Sequence, residues 1–240
     1  MQKNYIVGFP RIGEQRELKR VLEEFWAKKC SFENVQNVAS KLKARHWEYQ
    51  RDAGVQFISS NDFSLYDNML DTSIMLGAIP KRFANLKKEE LYFAMARGDT
   101  SNVAMEMTKW FNTNYHYIVP ELSPDESYKL DASKIVNEYN EAKSLGIKTK
   151  INIIGPITYL GLSKRVDRGD VYELWSKIVP IYEELLKAIS TLDDEVIVQI
   201  DEPIFAKGLE TKVLSLIKPT YDRLSNISSN LLRFVFHNQL

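Results

Sequence analysis

Short apolar segments alternate with longer amphipathic segments along most of this 240-residue chain, and this alternation limits the possible folds more than any other feature. The short segments are rich in Val, Ile, Tyr and Phe, which is typical of buried β-strands, and the longer ones carry apolar residues at helical spacing. Strands that are apolar throughout are buried on both faces, so the pattern predicts an α/β fold with a parallel sheet. The six predicted strands are 5–10, 55–59, 114–119, 150–154, 196–200 and 231–236.

Polar side chains follow three of these predicted strands at the point where each strand ends. Arg11 follows the first strand, residues 59–62 (SSND) follow the second, and Asp201 and Glu202 follow the fifth. In a barrel of parallel strands, the carboxyl ends form the rim on which binding and catalytic sites are built. We therefore expect a functional site at this rim.

The composition argues against several classes of protein. Lys+Arg and Asp+Glu both number 32, so the formal net charge is zero, whereas a protein whose main partner is DNA or RNA is usually basic. Cys30 is the only cysteine, so no disulfide forms within the chain. No apolar run approaches the ~20 residues of a membrane-spanning helix. We expect a soluble, cytoplasmic protein with no nucleic-acid or membrane partner.

The sequence contains no recognisable metal-binding or nucleotide-binding motif. His46, His116 and His237 are far apart, and none has the short spacing to another ligand that is typical of a zinc site with about four ligands. No G-x-G-x-x-G or Walker-type loop occurs either. We expect no metal ion and no cofactor on this chain.

The segment from Arg11 to Arg20 (RIGEQRELKR) follows the first predicted strand and enters the first predicted helix. Basic side chains and free backbone N–H groups at a helix N-terminus suit an anion such as a carboxylate or a phosphate. A solvated helix start with surface Arg and Lys side chains explains the same residues, and the sequence leaves both interpretations open.

Residues 59–62, together with Tyr66 and Asp67, place several polar groups after the second predicted strand. These groups are able to hold a ligand. They are equally suited to cap the helix that follows, because Ser, Asn and Asp are the preferred N-cap residues.

Residues 106–117 (EMTKWFNTNYHY) combine one charged donor, two amides, one imidazole and several aromatic rings. Such a mixture is typical of a ligand site, with Lys109 as the charge partner and Asn112 and His116 as further contacts. The alternative is an aromatic core strand in which His116 is buried with its hydrogen bonds satisfied.

Asp201 and Glu202 are adjacent carboxylates at a strand end. Paired carboxylates can perform acid–base catalysis, bind an ammonium group or bind a metal ion. Neighbouring residues of a strand point to opposite faces, so the two share one site only if the strand ends there. The alternative is a cap at a helix N-terminus, where a negative charge interacts favourably with the helix dipole.

In order along the chain, these segments resemble the N-terminal half of the cobalamin-independent methionine synthase family, the 5-methyltetrahydropteroyltriglutamate–homocysteine S-methyltransferases. The longest and most specific matches are GFPRIGEQRELKR and AMEMTKWFNTNYHYIVPE. The matching stretches span most of the chain and comprise residues 8–20, 60–80, 92–98, 104–121, 155–164 and 198–203.

The resemblance implies a (β/α)₈ barrel of the TIM type, the first of two related barrels on one long chain. In the family, the second barrel holds the zinc ion, homocysteine and the methyl-transfer chemistry, while the first is a scaffold that helps to hold the polyglutamate tail of the folate. The family's tail-binding motif falls here on Arg16, Glu17, Leu18 and Lys19, with a further basic residue at Lys109. The weaker candidates are Arg11, Asn112, His116, Asp201 and Glu202.

The chain also departs from the family pattern. The zinc ligands (His, Cys, Glu and Cys) and the homocysteine site belong to the C-terminal barrel, which we expect to be absent here. About six strands are predicted, whereas a barrel of this type needs eight over about 250 residues. Residues 1–240 are therefore expected to form one incomplete N-terminal barrel domain that is truncated after about six strands. The final FVFHNQL matches the family poorly, and Asp201 and Glu202 are interpreted as a relic of a duplicated site.

Three functions are compatible with these features. The first is the N-terminal part of a methionine synthase, which binds 5-methyltetrahydropteroyltriglutamate by its tail and is inactive alone. The second is a stand-alone folylpolyglutamate-binding module. The third is an independent barrel enzyme of unknown substrate that uses Asp201, Glu202 and His116. Because an incomplete barrel exposes unpaired strand edges, we also expect docking to the missing domain or self-association.

Overall fold

The strands of this protein fall into one main sheet and two small pairs. The computed structural model describes residues 4–227 and 232–237. The strands are β1 (Ile58–Ser60), β2 (Met107–Lys109), β3 (His116–Ile118), β4 (Glu121–Leu122), β5 (Thr149–Ile154), β6 (Lys164–Arg165), β7 (Val196–Asp201) and β8 (Leu232–His237). The main sheet has the spatial order β1-β5-β7-β8, with every neighbouring pair parallel. β2 pairs with β3 as an antiparallel hairpin, and β4 pairs with β6 in parallel.

Helices occupy the segments between the strands. They are α1 (Glu17–Trp26), α2 (Phe32–Asp52), α3 (Asn68–Met75), α4 (Lys88–Arg97), α5 (Ser133–Ser144), α6 (Pro156–Gly161), α7 (Trp175–Ser190) and α8 (Thr211–Ser225). α2 begins with a capping box, in which Ser31 and Asn34 each accept the backbone N–H of the other. In the part of the chain that the structure describes, no helix is both long enough and apolar enough to cross a bilayer.

The two faces of the main sheet differ in polarity. Ile151 and Ile153 of β5 and Val198 and Ile200 of β7 are buried in the largest apolar cluster, together with residues of α5 and α7. Side chains alternate between the faces along a strand, so the intervening residues point to the opposite face. These intervening residues are polar: Lys150, Asn152 and Gln199. The sheet therefore has one apolar face that packs on helices and one polar face.

The predicted α/β fold with a parallel sheet is confirmed, but the first predicted strand does not join the sheet as a ladder. Of residues 5–10, only Tyr5 pairs, through a single parallel bridge to Phe57. Further along the segment, the N–H of Phe9 donates to the Asp62 carboxylate at 2.8 Å. A side chain thus takes the place of a strand partner there, so the segment follows the sheet edge without a continuous ladder.

The third predicted strand, residues 114–119, is the second departure from the expected sheet. The N–H of Trp110 donates to the carbonyl of Tyr115 at 2.7 Å, and the N–H of Thr113 donates to the carbonyl of Trp110 at 3.1 Å. This short turn pairs β3 with β2, because closing a local hairpin costs less chain entropy than reaching a distant strand. The prediction of six strands in one sheet is therefore wrong. The main sheet has four strands, and the described residues form no closed barrel.

Gly77 illustrates how closely the connections pack at the end of α3. Its φ is +66°, and a Cβ atom at this position would lie 2.8 Å from the carbonyl oxygen of Lys129. The segment that crosses here is fixed by two backbone bonds, from Lys129 N–H to Leu76 O at 3.1 Å and from Asp131 N–H to Met75 O at 2.8 Å. Only glycine fits this contact in this conformation.

We expect Gly77→Ala to lower the free energy of unfolding by about 2–5 kcal/mol. Left-handed φ costs a residue with a Cβ about 1–2 kcal/mol, and the contact with the Lys129 backbone adds about 1–3 kcal/mol. Gly146→Ala is the matched control, since Gly146 has a φ of +72° but nothing within 4 Å of its Cβ position. Urea denaturation of both variants measures the difference. Equal losses would show that the backbone contact at Gly77 contributes nothing.

Candidate functional site

A buried lysine organises the polar face of the main sheet. The Lys150 ammonium donates to Ser59 Oγ at 2.6 Å, Asn152 Oδ1 at 2.9 Å and Gln199 Oε1 at 2.6 Å. These residues lie on β1, β5 and β7, so one ammonium group joins three neighbouring strands. Burial lowers the pKa of Lys150 to about 8, while nearby Asp62 and Asp201 act in the opposite direction.

The same network holds the N-terminal segment over the sheet. Asn152 Nδ2 donates to the carbonyl of Val7 at 2.7 Å, and Gln199 Nε2 donates to Asp201 Oδ1 at 2.8 Å. Lys150, Asn152 and Gln199 are not among the site residues that the sequence predicts. The signal that could have revealed them is a polar residue at alternate positions of an otherwise apolar strand, which marks a polar face.

A cavity of about 190 Å³ opens above this network, at the carboxyl ends of the parallel strands. We call it the rim cavity, and its lining includes Asp62, Asp71, Lys134, Asn152 and Asp201. The structure thus brings Asp62 and Asp201 to one cavity, as expected of residues that follow parallel strands. Burial raises the pKa of both Asp62 and Asp201 to about 6, and the neighbouring Glu138 adds to the effect at Asp62.

Glu202 lies apart from Asp201, because it points to the other side of the strand end. Its carboxylate accepts the N–H groups of Ile157 at 3.1 Å and Thr158 at 2.6 Å, and it also accepts the Tyr221 hydroxyl. Glu202 therefore caps the start of α6 from outside that helix, which agrees with the capping interpretation. Burial raises its pKa to about 7, although these donors act to lower it.

The polar segment after β1 has two interpretations, helix capping and ligand binding, and Asp67 and Asp62 differ in which of them they fit. Asp67 is buried and accepts the N–H groups of Met69 at 2.8 Å and Leu70 at 3.4 Å, so it caps α3. It also accepts the N–H of Ile118 at 3.2 Å, and burial raises its pKa to about 7. Capping is thus confirmed for Asp67, whereas Asp62 faces the rim cavity.

The predicted tail-binding motif lies at the start of α1, and its residues point in different directions. Arg16 is exposed and precedes the helix with a φ of 59°, and its own side chain does not cap the helix. Glu17 is held by Arg45 Nη2 at 2.7 Å, and Leu18 is fully buried. Lys19 is exposed, with Glu23 3.7 Å away as its ion-pair partner. Arg16 and Lys19 are therefore the members of the motif that face solvent with positive charge.

Arg11 connects the segment before α1 to two other parts of the chain. Its guanidinium donates to the carbonyls of Ser64 at 2.9 Å and Tyr66 at 2.6 Å, and its positive charge acts to lower the pKa of Tyr115. Its donors are thus largely used within the protein. Arg11 stays a predicted anion contact, but its observed contacts position the chain.

The hairpin β2–β3 carries the other predicted contacts. Lys109 pairs with His116 across the hairpin, and both side chains are exposed. Asn112 is exposed in the connecting turn. The alternative of a buried His116 in an aromatic core is wrong, because the side chain that enters the core here is Tyr117, whose hydroxyl donates to the Leu162 carbonyl at 3.1 Å. Tyr115, next to His116, interacts electrostatically with Arg11.

The potential metal ligands are dispersed. His46 is buried with its ring 4.7 Å from that of Phe9, and the Cys30 thiol donates to the Val21 carbonyl at 3.6 Å. Within residues 4–227 and 232–237, no group of three or more His, Cys, Asp or Glu side chains is arranged to hold a metal ion.

The fold and rim define an α/β domain of the parallel-sheet class whose polar groups gather at the carboxyl ends of the strands. Residues 3–238 match the model of the cobalamin-independent synthase N-terminal domain. The chain therefore belongs to this family.

Curated relatives agree with this assignment. A 5-methyltetrahydropteroyltriglutamate–homocysteine methyltransferase of Desulforamulus reducens is 62% identical over 95% of this chain and 30% of its own length. The 5-methyltetrahydropteroyltriglutamate–homocysteine methyltransferase 2 of Arabidopsis thaliana is 45% identical over 95% of this chain and 31% of its own length. The corresponding protein of Flavobacterium johnsoniae is 42% identical over 97% of this chain and 31% of its own length. The chain thus spans about a third of the length of these relatives.

Asp201 gives a pH-dependent prediction. Burial raises its pKa in the folded protein to about 6, above the ordinary 3.8. The folded state therefore binds the Asp201 proton more tightly than the unfolded state, so ionisation of Asp201 destabilises the fold as pH rises from about 4 to about 6, and the loss persists above that range. Asn cannot ionise. We expect the stability of Asp201→Asn, relative to the parent, to increase from pH 4 to pH 7.

Urea denaturation at pH 4, 5, 6 and 7 measures this difference. Asp194→Asn is the control, since Asp194 is exposed in the turn before β7, and its difference from the parent should stay constant. A constant or decreasing difference for Asp201→Asn would contradict the assigned direction.

Proposed function

We propose that this chain forms the N-terminal domain, of the (β/α)₈ type, of a methyltransferase that transfers the methyl group of 5-methyltetrahydropteroyltriglutamate to homocysteine. Its role there is to act as a scaffold and to bind the polyglutamate tail of the folate. The family membership and the names of the related methyltransferases support the reaction. The parallel sheet, with helices between successive strands, supports the barrel type. The prediction of a cytoplasmic location accompanies this proposal.

One observation carries the tail-binding role: exposed basic residues lie on two elements that an internal interaction connects. Arg16 and Lys19 are exposed at the start of α1, and Lys109 is exposed on the hairpin. Arg11, five positions before Arg16, interacts electrostatically with Tyr115, which is adjacent to the residue that pairs with Lys109. This interaction supports a location of the hairpin near the segment that leads into α1.

The chemistry of these groups suits a chain of glutamates. Each glutamate of the tail adds a carboxylate, and Arg and Lys form the strongest hydrogen bonds to carboxylates because both partners are charged. The start of α1 adds the positive end of the helix dipole, although the N–H groups of Gln15 and Leu18 are bonded within the protein. A flexible polyanion is able to contact several such groups in turn, so each contributes modestly to the total affinity.

The zinc ion of the family does not fit this chain. A zinc site needs about four ligands, and no group of three or more His, Cys, Asp or Glu side chains among the described residues is arranged to hold an ion. We therefore assign no step of methyl transfer to residues of this chain. This is also the physical reason to expect that the chain has no activity alone.

The independent barrel enzyme receives no support from the geometry. Asp201 lines the rim cavity, Glu202 is buried at the start of α6, and His116 is exposed on the hairpin. The three groups on which that hypothesis depends do not line one pocket among those formed by the described residues. The hypothesis of a stand-alone binding module assigns the same tail site to this chain. We favour a domain of a methyltransferase because the longer relatives that the chain matches are named as methyltransferases.

We expect Lys19→Ala and Lys109→Ala each to weaken binding of pteroyltriglutamate by about threefold to tenfold. An exposed charge-assisted hydrogen bond contributes about 1 kcal/mol, and 1.4 kcal/mol corresponds to tenfold. Isothermal titration at low salt measures the affinities. Raising the salt concentration should reduce the differences, because exposed charges are screened.

Lys187→Ala is the matched control for both substitutions, since Lys187 is exposed on α7. Pteroylmonoglutamate, which lacks the additional carboxylates, should bind more weakly than the triglutamate and show smaller effects of the substitutions. If neither substitution changes the affinity while both variants fold normally, the tail-binding role is wrong.

We expect this chain alone to produce no methionine from methyltetrahydropteroyltriglutamate and homocysteine in the presence of zinc. The assay is run beside a full-length relative, such as the protein of Desulforamulus reducens, as the positive control. Turnover by the 240-residue chain, after removal of any copurifying enzyme, would contradict the division of roles proposed here.

A further inference from the structure

The Asp67 carboxylate connects two elements that are far apart in the sequence. Only 1% of Asp67 is exposed, and its two oxygens have different partners. Oδ1 accepts the N–H groups of Met69 at 2.8 Å and Leu70 at 3.4 Å, at the start of α3. Oδ2 accepts the N–H of Ile118 on β3, 51 positions further along the chain, at 3.2 Å. One side chain therefore joins α3 to the hairpin β2–β3.

The N–H of Ile118 lies on the outer edge of the hairpin. The neighbouring N–H of Val119 donates to the carbonyl of Glu106, on the side of β2, at 2.8 Å. Successive N–H groups of a strand point in opposite directions, so that of Ile118 points away from β2. Ile118 is fully buried, and a buried N–H without an acceptor is costly. The Asp67 carboxylate supplies this acceptor in the place that a third strand would occupy.

Arg11 holds the segment just before Asp67. Its guanidinium donates to the carbonyls of Ser64 at 2.9 Å and Tyr66 at 2.6 Å. Arg11 itself lies five positions before Arg16, the first basic residue of the proposed tail site. Hydrogen bonds therefore run from the segment that leads into α1 to the residue before Asp67, and the Asp67 side chain continues them to β3.

The electrostatics of Tyr115 place the tip of the hairpin close to the same two charges. Burial raises the pKa of Tyr115 to about 12, the charge of Asp67 adds to this rise, and the charge of Arg11 opposes it. Tyr115 lies next to His116, the residue that pairs with Lys109. The end of the hairpin that carries Lys109 is thus close to both Arg11 and Asp67.

We propose that Asp67 is a positioning residue of the tail site, which fixes the hairpin β2–β3, and with it Lys109, relative to the segment that leads into α1. This inference rests on the proposed function. Both oxygens of Asp67 are bonded to backbone N–H groups, so the carboxylate acts through the backbone and does not touch the tail. A tail bound at α1 reaches Lys109 most favourably when the hairpin is already held in place, because ordering a mobile element on binding costs free energy.

Helix capping alone does not explain a carboxylate at this position. Asn and Ser cap helices about as well as Asp does, and each needs only one acceptor oxygen for this role. A carboxylate has two acceptor oxygens, whereas the amide of Asn has one oxygen and one NH₂ donor. In Asp67→Asn the oxygen still accepts from the start of α3, and the NH₂ group then meets the N–H of Ile118. This substitution therefore separates the two roles of the side chain.

The test compares the contributions of Lys109 and Lys19 to pteroyltriglutamate binding, measured by isothermal titration on the 240-residue chain with and without Asp67→Asn. We expect Lys109→Ala to weaken binding by about threefold to tenfold in the parent but by less than about twofold beside Asp67→Asn. Lys19→Ala should keep its full effect in both. A purely structural role would reduce both contributions equally. That outcome, or an unchanged contribution of Lys109, would overturn the proposal.

Amide hydrogen exchange tests the same connection without a ligand. We expect the Ile118 amide to exchange faster by about fivefold or more in Asp67→Asn, while the Met69 amide keeps its rate in the parent. Asp67→Ser, which keeps one acceptor oxygen for α3, should give the same pattern and replaces the Asn variant if that variant does not fold. Asp131→Asn is the matched control, since Asp131 accepts the Ser133 N–H at 3.0 Å beside α5. Equal acceleration at Ile118 and Met69, or none at either, would contradict the positioning role.

The unsubstituted chain offers a third readout. Burial raises the pKa of Asp67 to about 7, and the neighbouring Asp71 adds to this rise. The backbone amide signals of Met69 and Ile118 should therefore shift together in an NMR titration, with a common midpoint at about pH 7. Different midpoints would show that the two amides do not share this carboxylate.

These experiments separate failure of the inference from failure of the proposed function. If neither Lys19 nor Lys109 contributes to binding in the parent, the tail-binding role is wrong, and hydrogen exchange and the NMR titration still decide whether Asp67 holds the hairpin. If Lys109 contributes and Asp67→Asn leaves that contribution intact, the tail-binding role stands and the positioning role is wrong.

Discussion

The ammonium group of Lys150 is the interaction on which the rest of this structure depends. A positive charge is costly to bury unless hydrogen bonds compensate it, and here three neutral oxygens on three strands do so, with Asp62 and Asp201 nearby. The network orders the polar face of the sheet and, through Asn152, fixes the segment that precedes α1. Asn152 and Asp201 lie on the strands that this network joins, and both line the rim cavity.

The pleat of β7 explains why two adjacent carboxylates have different roles. Asp201 faces the polar side of the sheet and enters the rim cavity, whereas Glu202 turns away and caps α6. Both have raised pKa values because both are removed from water, yet only Glu202 has backbone donors to stabilise its charge. A difference of one position along a strand thus separates a group that lines the cavity from a structural group.

Two surfaces of this domain have opposite electrostatic character. The start of α1 and the hairpin expose basic residues suited to the proposed polyglutamate tail, while carboxylates line the rim cavity. Asn152 and Val7 join the sheet to the chain leading into α1. The N-terminal segment therefore contacts the polar face of the sheet before it enters the helix that carries Arg16 and Lys19.

The sequence by itself determined the fold class, most of the helices and the family. Amphipathic spacing identified α1, α2, α5 and α7 because each helix buries one face, and the motif around Arg16 and Lys109 carried the resemblance that the family match confirms. The sequence did not determine which strands pair: residues 114–119 have a strand-like composition, but a local turn directs them into a hairpin.

Only the tertiary structure decided the arrangement of the polar groups. Whether Arg11 contacts an anion or a carbonyl, and which acceptors surround Lys150, depends on segments far apart in the chain. Local propensity carries no information about such contacts. The rim cavity exists because parallel strands bring Asp62 and Asp201 together across 139 positions of sequence, which is a consequence of strand register rather than of any motif.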